Sequence, residues 1–95
     1  MVISYRKRTI NSLQKSASFI ESENTEGSGE RWAEKIRLTI RALAESKAKF
    51  SLCKAPQLAR WNYSCYSHNG WVMAFKTSRN KFEVCRIIWG ANLNY

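Results

Sequence analysis

Residues 46–95 carry eight basic side chains, Lys47, Lys49, Lys54, Arg60, Lys76, Arg79, Lys81 and Arg86, against one acid, Glu83. Trp61, Tyr63, Tyr66 and Trp71 are interleaved with them. Cations with nearby flat rings suit one kind of chemistry: phosphate contacts combined with base stacking. Arg86 stands out because it falls in the apolar run Val84-Cys85-Arg86-Ile87-Ile88. Simple strand alternation puts it on one face with Val84 and Ile88, where an arginine needs a carboxylate, phosphate or carbonyl partner. Glu45 is a carboxylate that the sequence offers for that role. His68, the only histidine, falls in a turn sequence and reads as a solvated residue.

The cysteines point to no comparable chemistry. Cys53, Cys65 and Cys85 are odd in number and lack a C-x-x-C spacing. Neither a disulfide framework nor a zinc site is indicated, and the expectation is three buried, reduced thiols. No metal and no cofactor is expected.

The charge is unevenly placed. The chain has 16 Lys+Arg and 7 Asp+Glu, a net +9 over 95 residues. Six of the acids, Glu21, Glu23, Glu26, Glu30, Glu34 and Glu45, lie between residues 21 and 45. The positive potential should therefore gather on residues 46–95, with a second basic run at Arg6-Lys7-Arg8. Such a balance implies a polyanionic or acidic partner. At 44% hydrophobic and 13% aromatic residues the chain is too apolar for a disordered tail. Its length allows one domain, residues 1–95. The longest uncharged stretch, Trp61 to Phe75, is broken by Asn62, Ser64, Ser67, His68 and Asn69, so no membrane span is expected. No apolar region follows the basic N-terminal residues in the manner of a signal peptide, and the cytoplasm is the default location.

The elements that must position these residues can be read in order. Val2-Ile3-Ser4-Tyr5 is β-prone. Ile10, Leu13, Ala17 and Ile20 mark one face of a helix over Thr9 to about Ser22. Glu23 to Gly29 is a polar break, and Trp32, Ile36, Ile40 and Leu43 stripe a second helix from about Glu30 to Ala48. Ser28 is its expected N-cap. Pro56 ends any helix. Arg60 to Ser67 reads as a strand, Asn69-Gly70 as a type I′ hairpin turn, and Trp71 to Lys76 as the next strand. Thr77 to Lys81 is a second turn. Phe82 to Trp89 is a last strand, with Phe82, Val84 and Ile88 on one face and Cys85, Ile87 and Trp89 on the other. Both faces are apolar, so this strand should be covered on both sides. The predicted class is α+β, in the order β-α-α-β-β-β, with an antiparallel sheet and a helical hairpin on one face.

That order resembles the RelE/ParE superfamily of bacterial toxins from type II toxin–antitoxin modules, also described as plasmid stabilisation proteins. The likeness rests on Val2-Ile3-Ser4-Tyr5, on the second helix ending Ile40-Arg41-Ala42-Leu43-Ala44, on the hairpin Asn69 to Lys76, and on the closing Val84-Cys85-Arg86-Ile87-Ile88-Trp89-Gly90-Ala91-Asn92. It covers nearly the whole chain. It implies a small toxin neutralised by a cognate antitoxin in a hetero-oligomer, with DNA gyrase or the ribosome and its mRNA as target. In such a toxin Lys47, Lys49, Lys54, Arg60, Lys76, Arg79 and Lys81 would engage that target.

The mRNA-cutting branch of the family carries catalytic bases on the second strand, after the aromatic that opens the third strand, and after the last strand. Here those positions hold Tyr63 and Cys65, then Val72, then Asn92. Tyr95 alone matches the tyrosine that this branch often has near its C-terminus. The resemblance therefore gives Tyr95 and Asn92 as catalytic candidates beside Arg86 and Arg60. It implies growth inhibition by target binding ahead of RNA cleavage or of non-toxic nucleic-acid binding.

Overall fold

The computed structural model describes residues 2–46 and 50–93. Strand β1 (Val2–Tyr5) leads into helices α1 (Lys7–Glu23) and α2 (Ser28–Glu45). A single-turn helix α3 (Pro56–Ala59) precedes strands β2 (Ser64–His68), β3 (Trp71–Ser78) and β4 (Lys81–Trp89). A 3-10 turn, Gly90–Asn92, follows. The class is α+β, and the sheet order is β1-β4-β3-β2. Strands β2, β3 and β4 form the antiparallel meander read from the sequence. Strand β1 instead runs parallel to β4, so the sheet is mixed and not antiparallel. Nothing in a four-residue strand specifies its partner, and the distant edge of β4 decides it.

The helices pack on one face of the sheet. Leu13 of α1 and Ile36, Ile40 and Leu43 of α2 are buried against Met73, Phe75, Phe82, Val84 and Ile87. Each such side chain contributes about 1.5–3 kcal/mol by leaving water. Ile10 does not join this core and stays exposed, while Thr9 beside it is buried. The second helix begins at Ser28, with Gly27 at its N-cap in the left-handed region at φ 84°. Ser28 is not the cap, because its hydroxyl donates to the Ile20 carbonyl. Glu21, near the end of α1, supplies the cap for α2: its carboxylate accepts from the Gly27 and Gly29 amides at 2.6 and 3.0 Å. These bonds to the charged form hold the Glu21 carboxyl below its ordinary pKa. A depressed folded pKa means that the contribution is full above the unfolded value and is lost as pH falls through the lower folded one. Accordingly, Glu21→Gln should lower the melting temperature at neutral pH, and the gap to wild type should close as a thermal melt series is taken to acid.

Pro56 does not simply end a helix. It opens α3, because proline is tolerated in a first helical turn. Arg60 to Asn62 form a turn, so β2 starts only at Ser64. The hairpin at Asn69-Gly70 has the expected turn, with φ 50° and 83° at its two central residues.

The opposite face of the sheet is covered by Cys53, Ala55, Leu58 and Tyr63, packed on Val72, Ala74 and Cys85. This covering segment is closed by a disulfide between Cys53 and Cys65, whose Cα atoms lie 4.9 Å apart. Three reduced thiols were expected; only Cys85 is free, and it is buried. Leu52 and Ser64 form a bridge that sets the two cysteines side by side, a pairing that a separation of 12 positions conceals in the sequence. No helix among the described residues is long and apolar enough to cross a membrane.

Candidate nucleic-acid interface

The site begins with an irregularity in β4. Phe75 pairs with Val84 and Ala74 with Arg86, which leaves Cys85 without a partner across the ladder. This β-bulge interrupts the alternation of faces. Phe82, Val84 and Ile87 point into the helix-side core, whereas Cys85 and Ile88 belong to the opposite face. The face assignment from strict alternation therefore fails beyond Val84. Arg86, placed by alternation with Val84, instead pairs with Ala74 of the opposite face and lines a cleft with Cys85 and Tyr63. The bulge is held from behind: the buried Thr9 hydroxyl lies 3.2 Å from the Val84 carbonyl and 2.7 Å from that of Cys85. Thr9→Val keeps the shape and removes the hydroxyl donor to the Cys85 carbonyl, while the Val84 carbonyl keeps the Arg6 amide, at a cost of about 1 kcal/mol. Urea denaturation should record that loss.

The cleft has a volume of about 760 Å³. Arg6, Arg8, Arg60, Lys76 and Arg86 line it, together with Gln57, Trp61, Tyr63 and Asn92. No Asp, Glu or His is among its described lining residues. Arg6 sits at the entry to α1, where its amide bonds the Val84 carbonyl at 3.1 Å. Its guanidinium donates to the Tyr63 hydroxyl at 2.9 Å and to Glu83 at 3.3 Å. That bond raises the Arg6 pKa and lowers that of Glu83. The pair is largely exposed, so it is worth at most about 1 kcal/mol. Tyr63 is buried beneath two cations, with Lys76 Nζ 5.3 Å and the Arg6 guanidinium 5.6 Å from its ring centre. Arg60 lies over the exposed Trp61 ring at 5.2 Å.

Arg8, Arg60, Lys76 and Arg86 have no ion pair among the described residues. Arg86 is half-buried and makes no hydrogen bond among those residues, so the expected partnership with Glu45 does not form. Burial lowers its pKa, and the neighbouring Arg8 charge lowers it further. The Gln57 amide oxygen is buried in the same cleft without a hydrogen-bond partner among the described residues. Like charges gathered in this way raise the energy of the empty site, and a polyanion relieves it. The arrangement can bind phosphates and stabilise charge on them. A general base is harder to supply. The Cys85 thiol is pushed up by burial, and His68 lies at the β2–β3 hairpin, its Nε2 beside the Asn69 amide at 3.3 Å.

The structure thus gathers Arg60, Arg86, Asn92 and Lys76 from the sequence candidates. It leaves Lys54, Arg79 and Lys81 exposed and outside the cleft. Lys47, Lys49 and Tyr95 lie outside the described residues. The four aromatics do not share a face: Trp71 packs between Trp32 and Trp89 at 4.7 and 5.2 Å, and Tyr66 stands on the edge strand. Arg6, Arg8 and Gln57 were missed. The basic run Arg6-Lys7-Arg8 was visible, but its relevance depends on β1 lying against β4.

A second groove, of about 670 Å³, adjoins the first and shares Arg86, Ile88 and Asn92 with it. Its walls are mostly apolar, with Lys15 and Arg86 among them and Phe19 and Trp89 respectively 67% and 43% exposed. No protein-family model matches the chain, and no curated protein matches it.

Proposed function

We propose that this chain is the toxin of a type II toxin–antitoxin module, similar to RelE/ParE toxins, and that it arrests growth by binding a polyanionic target such as the ribosome with its mRNA. The observation that carries the reading is the cleft, where four cations without ion pairs among the described residues meet one partly neutralised arginine and an exposed tryptophan. That is a surface for a phosphate backbone. It suits ribosomal RNA or mRNA better than the protein surface of gyrase, since phosphates provide anions at regular spacing. The element order and the helical hairpin on one sheet face support the resemblance without depending on the cleft. The adjoining, mostly apolar groove is a surface that an antitoxin segment could cover.

A second reading is a ribosome-dependent endoribonuclease. The meeting of Arg60, Arg86 and Asn92 in one cleft favours it, because cations around a phosphate stabilise a pentavalent transition state. The lack of a carboxylate or histidine among the described lining residues weighs toward binding without cleavage.

Induced expression of the chain alone should arrest bacterial growth, and co-expression of its antitoxin should restore it. Unimpaired growth with confirmed soluble protein would refute the toxin reading. Primer extension on mRNA in a translating extract separates the two mechanisms: intact transcripts during arrest indicate binding, and A-site cuts indicate the nuclease.

A further inference from the structure

We propose that the Cys53–Cys65 disulfide is a redox clasp on the basic cleft, so that the cleft is fully assembled only while the disulfide is formed. The inference rests on the cleft being the target-binding site. Cys53 and Cys65 are separated by 12 positions, and the loop that they close carries Gln57, Arg60, Trp61 and Tyr63. One wall of the cleft is therefore a tethered loop, while Arg8, Lys76 and Arg86 stand on α1 and the sheet. The only regular element in the loop is the four-residue α3. Apart from the disulfide, its base is held by Cys53 N–H to the Tyr63 carbonyl at 2.8 Å and Cys65 N–H to the Ser51 carbonyl at 3.0 Å.

Reduction should loosen this wall without unfolding the chain. Ala55, Leu58 and Tyr63 remain buried against the sheet and keep the loop attached. Arg60 and Trp61 are exposed and lie at the loop's far end, between α3 and the left-handed Asn62. They have the most freedom to move. Cys65 lies on β2, a strand at the sheet edge, and is only half-buried. A dithiol reductant reaches its sulfur first. The reductant thiolate attacks Cys65 Sγ and expels the Cys53 thiolate, which takes up a proton. The reductant's second thiol then resolves the mixed disulfide and releases Cys65 as a thiol. Two electrons and two protons pass to the protein, and the reductant leaves as its own disulfide. Cys85 is buried at 0% exposure and does not enter the exchange. Disulfides are rare in a reducing cytosol, where the ribosome is found. The clasp would therefore couple the cleft to oxidising conditions.

The test uses the whole chain and a fluorescently labelled short oligouridylate. Oxidised protein should show one thiol on denaturation and reduced protein three, given three cysteines and one disulfide. Dithiothreitol-reduced protein and the Cys53→Ser/Cys65→Ser variant should bind about tenfold more weakly, the effect of one aromatic–base contact. Reoxidation should restore wild-type binding. Trypsin cleavage after Arg60 should quicken by a similar factor on reduction. Equal affinity and equal cleavage in the two redox states would overturn the clasp, as would three thiols in the air-oxidised protein. If the double variant does not fold, reduced and reoxidised wild type decide. If oxidised protein fails to bind the oligonucleotide, the cleft reading falls, and the cleavage rates still decide the clasp.

Discussion

Arg8→Ala/Arg86→Ala should bind a single-stranded polyanion about 100-fold more weakly than wild type while melting at the same temperature or above it. A hydrogen bond to a charged group is worth about 1.5–3 kcal/mol, and two at the lower end of that range, as suits an open cleft, give about 3 kcal/mol, or two decades in affinity. The stability half of the expectation follows from what these arginines lack. Arg86 is half-buried, desolvated and close to a second guanidinium, and it makes no hydrogen bond or ion pair among the described residues. A charge held in that way costs folding free energy. An arginine kept for packing or for an internal ion pair behaves in the opposite way, and its removal leaves an unpaired partner and a lower melting temperature. Fluorescence anisotropy and a thermal melt on the same preparation separate the two. Lost affinity at unchanged stability marks a site that serves a ligand.

The second large effect is on the scaffold. A Cβ at Gly29 would stand 2.1 Å from the Ala17 carbonyl oxygen and 2.9 Å from its carbon. Both are backbone atoms of α1, so relief requires the helices to separate. Overpacking of a fitted contact costs about 1–3 kcal/mol, and a backbone clash belongs at the upper end. Alanine returns about 1 kcal/mol of helix propensity, so the clash wins. Gly29→Ala should lose about 2 kcal/mol, which for a chain of this size lowers the melting temperature by roughly 10 °C. Differential scanning calorimetry reads this directly. The change also bears on the site, because α1 carries Arg8 and Thr9 and seats the β4 bulge.

Much of the scaffold was legible because its signals are local. The stripe Ile36, Ile40 and Leu43 follows helical spacing and is buried as that spacing requires. Asn69-Gly70 specifies its own turn. What could not be read depends on contacts between distant residues. The bulge at Cys85 is a matter of register between β3 and β4, and strict alternation sent Arg86 to the wrong face. The Cys53–Cys65 bond depends on the Leu52–Ser64 bridge, which has no spacing signature. The site followed the same division. The sequence singled out Arg60, Arg86 and Asn92 separately. Their convergence, and the recruitment of Arg6 and Arg8 from the other end of the chain, required β1 to lie parallel against β4. Lys54, Arg79 and Lys81 contribute to the charge imbalance without joining the cleft.

The central claim is that these cations act together on a phosphate backbone, and the salt dependence of binding measures that most directly. Affinity for single-stranded oligouridylate should fall with salt at a slope of about −3 in log–log form, corresponding to roughly four phosphates engaged. In Arg8→Ala/Arg86→Ala the slope should drop to about −1.5, since two of those contacts are gone. Binding by wild type with no salt dependence, or one slope shared by both proteins, would contradict the account.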